Sequence, residues 1–191
     1  QVWKTFATKL QGEVSKTSEY LVAANAILQA GVKYDEGEIS LEPDDDIVFA
    51  DFEDGTYQGW NATGDAFGNG PVTEKTKADY QKNIRQHGKF FVNSHHVRNG
   101  GRGDAHTGTL TSPIFKVERD YISFLIGGGA HRGQTCLNLI VDGKVVGTAL
   151  GPQNNTMVNK FWDVRKFRAK SAQIQAVDNN KGSWGNSAKR A

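Results

Sequence analysis

Cysteine is nearly missing. A single thiol, Cys136, occurs in 191 residues, which excludes an internal disulfide. It stands inside an apolar strand pattern, so a buried, inert thiol is expected rather than a nucleophile. Long apolar runs are missing too. None approaches the roughly 20 residues that a membrane helix needs, so no membrane span is expected. Banded basic charge is also lacking. The Lys and Arg residues are scattered among acids and are not interleaved with aromatics, which argues against a nucleic-acid partner. No internal repeat is visible. With 22 Gly, 4 Pro and 23% charged residues, the rest of the composition is that of an ordinary globular chain. The chain opens on Gln1 rather than Met, so a mature chain or a piece of a longer one is expected.

Charge is uneven. Net charge is +2 overall. Residues 1–46 hold 4 basic against 9 acidic side chains, and residues 47–191 hold 19 against 12, which predicts segments of different character. Residues 3–30 carry Trp3, Ala7, Leu10, Val14, Leu21, Ala24 and Leu28 at the spacing of one helix face. A helical segment over 1–31 is expected, broken near Gly12, capped by Thr17 or Ser18 and ended by Gly31. Its place would be the end of a preceding domain. Residues 32–46, with Asp35, Glu36, Glu38, Glu42 and Asp44–Asp46, are too acidic to bury much and read as a linker.

From Ile47 the pattern is β. Candidate strands cover 47–53, 59–66, 89–93, 107–117, 120–126, 135–141, 144–150, 157–164 and 171–177, with Gly and Asn turns between them. Asp142-Gly143 between two apolar runs is a strong signal for a tight hairpin turn. Gly127–Gly129 is expected to end the strand before it and to open a polar loop carrying His131 and Arg132. The segment 72–88 reads as a polar surface loop. The fold class is therefore mainly β, an antiparallel β-sandwich of jelly-roll or lectin-like type over 47–191, preceded by a short helical segment.

Several blocks carry a family likeness. They are DFEDGTYQGWNATGDAFGNGP (51–71), FVNS (91–94), GDAHTGTLTSPIF (103–115), YISFLIGGGAHRGQTCLNLIVDGKVVGTALG (121–151), FWDV (161–164) and AVDNNKGSWGN (176–186). In this order they resemble the C-terminal β-sandwich module of bacterial levanases, a fructan-binding module also found at the end of large secreted bacterial proteins. In that family a further strand follows the Trp-Gly block. Here Ser187–Ala191 is no such strand, so an open sheet edge is expected. The levanase catalytic motifs, Asn-Asp-Pro-Asn-Gly and Arg-Asp-Pro, do not occur.

A sugar is held by rigid polar donors and acceptors beside an aromatic. The resemblance implies a small polar pocket for a terminal fructose, drawn from Glu53, Asp65, Arg102, Asp104, His131, Asp178, Asn179 and Trp184. Asp51 and Asp178 have a structural alternative, holding loop amides. Trp60, Phe67 and Trp162 read as core, and Trp184 as a stacking platform. No metal ligand set is defined. Adjacent strand histidines such as His95 and His96 point to opposite faces and could not share an ion, and the only cofactor left open is calcium. Arg102-Gly103-Asp104 and the glycosylation patterns at Asn61 and Asn154 are too short to carry weight.

The leading expectation is a non-catalytic, extracellular or periplasmic module binding a poly- or oligosaccharide, and not itself an enzyme. Two alternatives stay open. One is a structural module docking to other domains of its parent chain. The other is a hydrolase remnant, marked by a deep cleft with two carboxylates.

Overall fold

A computed structural model of the chain describes residues 46–95 and 103–182. The compact unit to which nearly all of these belong begins at Val48. The expected helical segment, all of the acidic linker but Asp46, and the tail after Gly182 lie outside the described residues.

Among the described residues ten strands follow in order: β1 (Asn61–Gly64), β2 (Val72–Thr73), β3 (Phe90–Phe91), β4 (Gly108–Thr111), β5 (Phe115–Lys116), β6 (Tyr121–Gly128), β7 (Thr135–Val141), β8 (Lys144–Ala149), β9 (Asn154–Asp163) and β10 (Ser171–Asp178). All pair antiparallel. The main sheet runs β1-β4-β10-β7-β8, with β5 also on β10, while β6 pairs β9 and β2 pairs β3 in two smaller sheets. The architecture is an antiparallel β-sandwich, as the alternation of short apolar strands predicts.

β10 organises the main sheet because it is paired on both sides. Ile174 stands opposite Leu139, and Ala176 lies between Leu137 and Leu110. Successive side chains alternate faces, so these residues point inward. Val117, Leu139, Val141, Val164 and Ala172 form one buried cluster, onto which Ile122 and Trp162 of the small sheet pack. Ala66, Phe67 and Leu110 form a second. On the opposite face a polar row crosses the sheet in register: Asn61, Thr111, Gln175, Asn138 and Thr148. Gln175 Nε2 donates to Thr111 Oγ1 (3.1 Å) and Thr148 Oγ1 to Asn138 Oδ1 (2.9 Å). A slip by one residue would carry this row into the core, so it helps to fix register. Asp142 and Gly143 both have positive φ (49° and 75°), the conformation of the expected two-residue hairpin turn between β7 and β8.

Several expectations need correction. Residues 47–53 form no strand. Asp51 Oδ1 accepts from Glu53 N and Asp54 Oδ1 from Thr56 N, and such local side-chain bonds favour turns over a ladder. The candidate strand 107–117 is split at Ser112-Pro113, since proline removes a ladder donor. Both pieces stay on β10, held by Ser112, whose buried hydroxyl accepts from Ile174 N (2.9 Å). Segment 72–88 is more than a surface loop, because Val72, Ile84 and Phe91 form a third buried cluster and Gln81 is buried. The glycine run does not end its strand at Ile126. β6 continues to Gly128 through a bulge between Ile126 and Gly128. β6 belongs to the small sheet with β9, and residues 129–134 cross from it to β7 of the main sheet.

Truncating Leu139, which is almost fully buried, removes contacts on which both sheets close. Leu139→Ala is expected to cost about 2–5 kcal/mol in urea unfolding with an unchanged m value. A loss below about 1 kcal/mol would contradict this assignment of the core.

Candidate functional site

A cavity of about 250 Å³ opens between the two sheets, beside the ends of β6 and β10. Each wall follows from a local feature of the sequence. β10 ends at Asp178, whose inward position continues that of Ala176, so the strand delivers a carboxylate where the core gives out. The carboxylate accepts from Ser94 Oγ (2.6 Å, to Oδ2) and from Asn180 N (3.4 Å, to Oδ1). Burial pushes the Asp178 pKa above the ordinary carboxylate value. The hydrogen bonds from Ser94 and Asn180 and the nearby His95 oppose that shift, and the charge of Asp104 adds to it.

The second wall is the loop after β3. Buried Asn93 pins it from both ends of its amide: Nδ2 donates to Gln81 Oε1 (3.0 Å) and Oδ1 accepts from His95 N (3.0 Å). His95 Nδ1 then lies 2.9 Å from Asp104 Oδ1. The backbone at Gly103 passes so close that a Cβ there would sit 2.7 Å from His95 O, so glycine is required. The third wall comes from the glycine run. Gly151 N donates to Gly129 O and Gln153 N to Gly128 O (both 2.9 Å), folding the loop after β8 onto β6. A Cβ on Gly151 would lie 2.4 Å from Gly128 O, so this approach also requires glycine. His131 follows, and its Nδ1 is buried with no hydrogen-bond partner among the described residues. Leu125, Phe91, Leu137 and Met157 complete an apolar floor.

The cavity thus joins Asp104, His131 and Asp178 of the expected site residues. Others fall elsewhere. Glu53 does not line the cavity: its Oε1 accepts from Lys89 N (2.8 Å) and Phe90 N (3.0 Å), which anchors β3. Asp65 is likewise committed, with Oδ2 2.6 Å from His106 Nδ1 and Oδ1 accepting from Thr107 N, and these bonds hold its pKa below the usual range. Asn179 is displaced by one position. Its backbone N–H donates to Gln134 O (2.6 Å), and Asn180 is the residue lining the cavity. Arg102 and Trp184 lie outside the described residues. Sequence reasoning passed over Ser94, Asn93 and Gln81, although FVNS was among the blocks with a family likeness, and weighed His95 only as a metal ligand. Cys136 is buried, which raises its pKa, in keeping with an unreactive thiol. Among the described residues no group of three or more His, Cys, Asp or Glu could hold a metal ion. No helix among them is long and apolar enough to cross a membrane.

Chemically, the cavity offers two carboxylates, two imidazoles, amides and a hydroxyl above an apolar floor. That is the donor and acceptor set of a polyhydroxylated ligand. No family model and no solved structure matches the chain. A protein of Aspergillus rugulosus, provisionally named glycosyl hydrolase ecdE, is 32% identical over 151 residues. The match takes in 75% of this chain and 20% of that protein, so the chain spans about a fifth of its relative's length. This match overturns the expectation that the chain is not an enzyme, because the relative bears a hydrolase's name.

Asp178 gives a direct test of the site's electrostatics. Its carboxyl signal should titrate above about 3.9, the unperturbed value, and Ser94→Ala should move the midpoint further up by removing an opposing hydrogen bond. A folded-state pKa raised above the unfolded one favours the protonated form. Its stabilising contribution is therefore complete below the unfolded value and is lost as pH rises through the folded value. Asp178→Asn is accordingly expected to melt higher than the parent at neutral pH, with the gap closing at acid pH. A midpoint at or below the unperturbed value would contradict the assignment.

Proposed function

We propose that this chain is the carbohydrate-binding part of a glycoside hydrolase, and that the cavity beside Asp178 and His131 grips one sugar unit at the end of a glycan. The observation that carries the reading is the convergence of Asp104, Asp178, His95 and His131 on a hollow of about 250 Å³ with an apolar floor. Sites that enclose a drug-sized ligand run from about 300 Å³ upward, so a single ring is the natural occupant. His131 lines the hollow, where its imidazole can meet a ligand hydroxyl. Asp178 and Asp104 accept from other hydroxyls, and the floor covers the weakly apolar ring face.

The name of the fungal relative supports a glycosidic substrate. The likeness to the levanase module points further, to a fructan, with the terminal fructose as the bound unit. A fructan ligand fits a parent protein that works outside the cell, in extracellular or periplasmic space. Within it, the module's part is to keep the substrate end at hand. Raising the local substrate concentration in this way increases overall affinity without any new contact at the reacting bond.

Affinity electrophoresis and isothermal titration with levan, inulin and plant polysaccharides test the proposal. Binding is expected with at least one of them. His131→Ala and Asp178→Asn should each weaken it about tenfold or more, as deleting a buried partner of a ligand hydroxyl does. Affinity should fall as pH drops through the raised pKa of Asp178, since only the carboxylate accepts two hydroxyl protons. Glu53→Ala is expected to lower stability by about 1–3 kcal/mol and leave affinity unchanged. Absence of heat and of retardation with every glycan would end this reading.

A further inference from the structure

We propose that Tyr80 forms a second sugar subsite at the mouth of the cavity, so that the module takes an oligosaccharide end, its outermost unit inside and the next unit against the phenol ring. The inference rests on the carbohydrate reading above and extends it from one unit to two. The cavity, about 250 Å³, is open on one side, so a chain whose end is held there leaves through that opening.

Tyr80 lies just outside the cavity lining, next in sequence to the wall residue Gln81. Its ring centroid lies 5.7 Å from that of His95, a wall residue, in an edge-on arrangement. It is nevertheless 55% exposed, so much of its surface is open to a ligand. Partial burial and the charge of Asp104 push its phenol pKa above the ordinary value. Its direction is fixed by the same anchor that shapes the cavity. Tyr80 is the middle residue of a 3₁₀ turn, Asp79–Gln81, and the next residue, Gln81, is buried and bonded to Asn93. An aromatic with two side-chain torsions on a pinned turn loses little entropy when a ligand settles on it.

Single exposed aromatics on a protein surface need no explanation of their own. Tyr80 differs in its contact with the cavity wall. By comparison, Tyr121 and Phe161, also exposed, pack on each other across β6 and β9, with ring centroids 5.9 Å apart. The sugar-facing role of Tyr80 was missed in the sequence because Ala78-Asp79-Tyr80-Gln81 sits in a polar stretch with no strand or helix period.

The test compares one unit with three. Wild type, Tyr80→Ala, Tyr80→Ser and Tyr80→Phe are titrated with fructose and with levan-linked and inulin-linked fructotriose. Wild type should bind a trisaccharide more tightly than fructose. Tyr80→Ala and Tyr80→Ser should lose about 3–10-fold on the trisaccharide, the scale of one ring contact, and change little on fructose. Tyr80→Phe should keep most of the trisaccharide affinity. On the wild-type protein, the Tyr80 ring signals should shift with the trisaccharide and stay in place with fructose. Equal losses on both ligands, no loss on either, or ring signals that ignore the trisaccharide would overturn the subsite while leaving the cavity reading in place. Failure of wild type to bind any of these sugars removes the fructan occupant and the subsite together.

Discussion

The hydrogen bond from Ser94 Oγ to Asp178 Oδ2 is the contact on which the site depends. It joins the loop after β3 to the last residue of the central strand, across a sequence separation of 84 residues. Both ends are already pinned. Asp178 is held by two-sided ladder pairing of β10 with β4 and β7, and Ser94 follows Asn93, whose amide is bonded on both sides. The bond therefore closes a gap between two rigid bodies and leaves a hollow behind it. Without it the loop would lose its tie to the main sheet, and a half-buried carboxylate would lose its strongest donor.

Holding a carboxylate in this position is costly to the fold, because burial disfavours its charged form. A structural role alone would be served as well by asparagine. A carboxylate is worth keeping where its two oxygens accept from a ligand, and binding sites commonly sacrifice stability in this way. The neighbouring groups point in the same direction. Asp104 is steadied by His95, and His131 lines the cavity beside them. The glycines at 103 and 151 are fixed by close backbone approach and have no side chain to offer, so they shape the hollow and leave recognition to their neighbours.

Much of the fold was legible in the sequence, and the reasons can be named. β7, β8 and β10 have apolar runs bounded by turn residues, and Asp142-Gly143 has one comfortable geometry, so these elements were found nearly to the residue. The partners of β6 were not legible. Tyr121–Ile126 reads equally well beside β7 or β9, and the pairing is decided by where Ile122 and Trp162 can bury. The run 47–53 looked like a strand because Ile47, Val48 and Phe49 are apolar, yet Asp51 and Asp54 take up the backbone amides in turns. In the site, Asp104, His131 and Asp178 stood out by type and by family likeness. Glu53 and Asp65 stood out for the same reason, and no sequence signal separates a carboxylate that serves backbone amides from one that faces a cavity. Asn93 and Gln81 were invisible, because their roles come from a contact between loops.

The most direct measurement is a map of backbone amide shifts during titration with a fructan oligosaccharide. The account places the largest changes at Ser94, His95, Gly128, His131 and Asp178, in one contiguous patch around the cavity. Changes centred elsewhere, such as the polar row through Thr111, Gln175 and Asn138, or no change at saturating sugar, would contradict it.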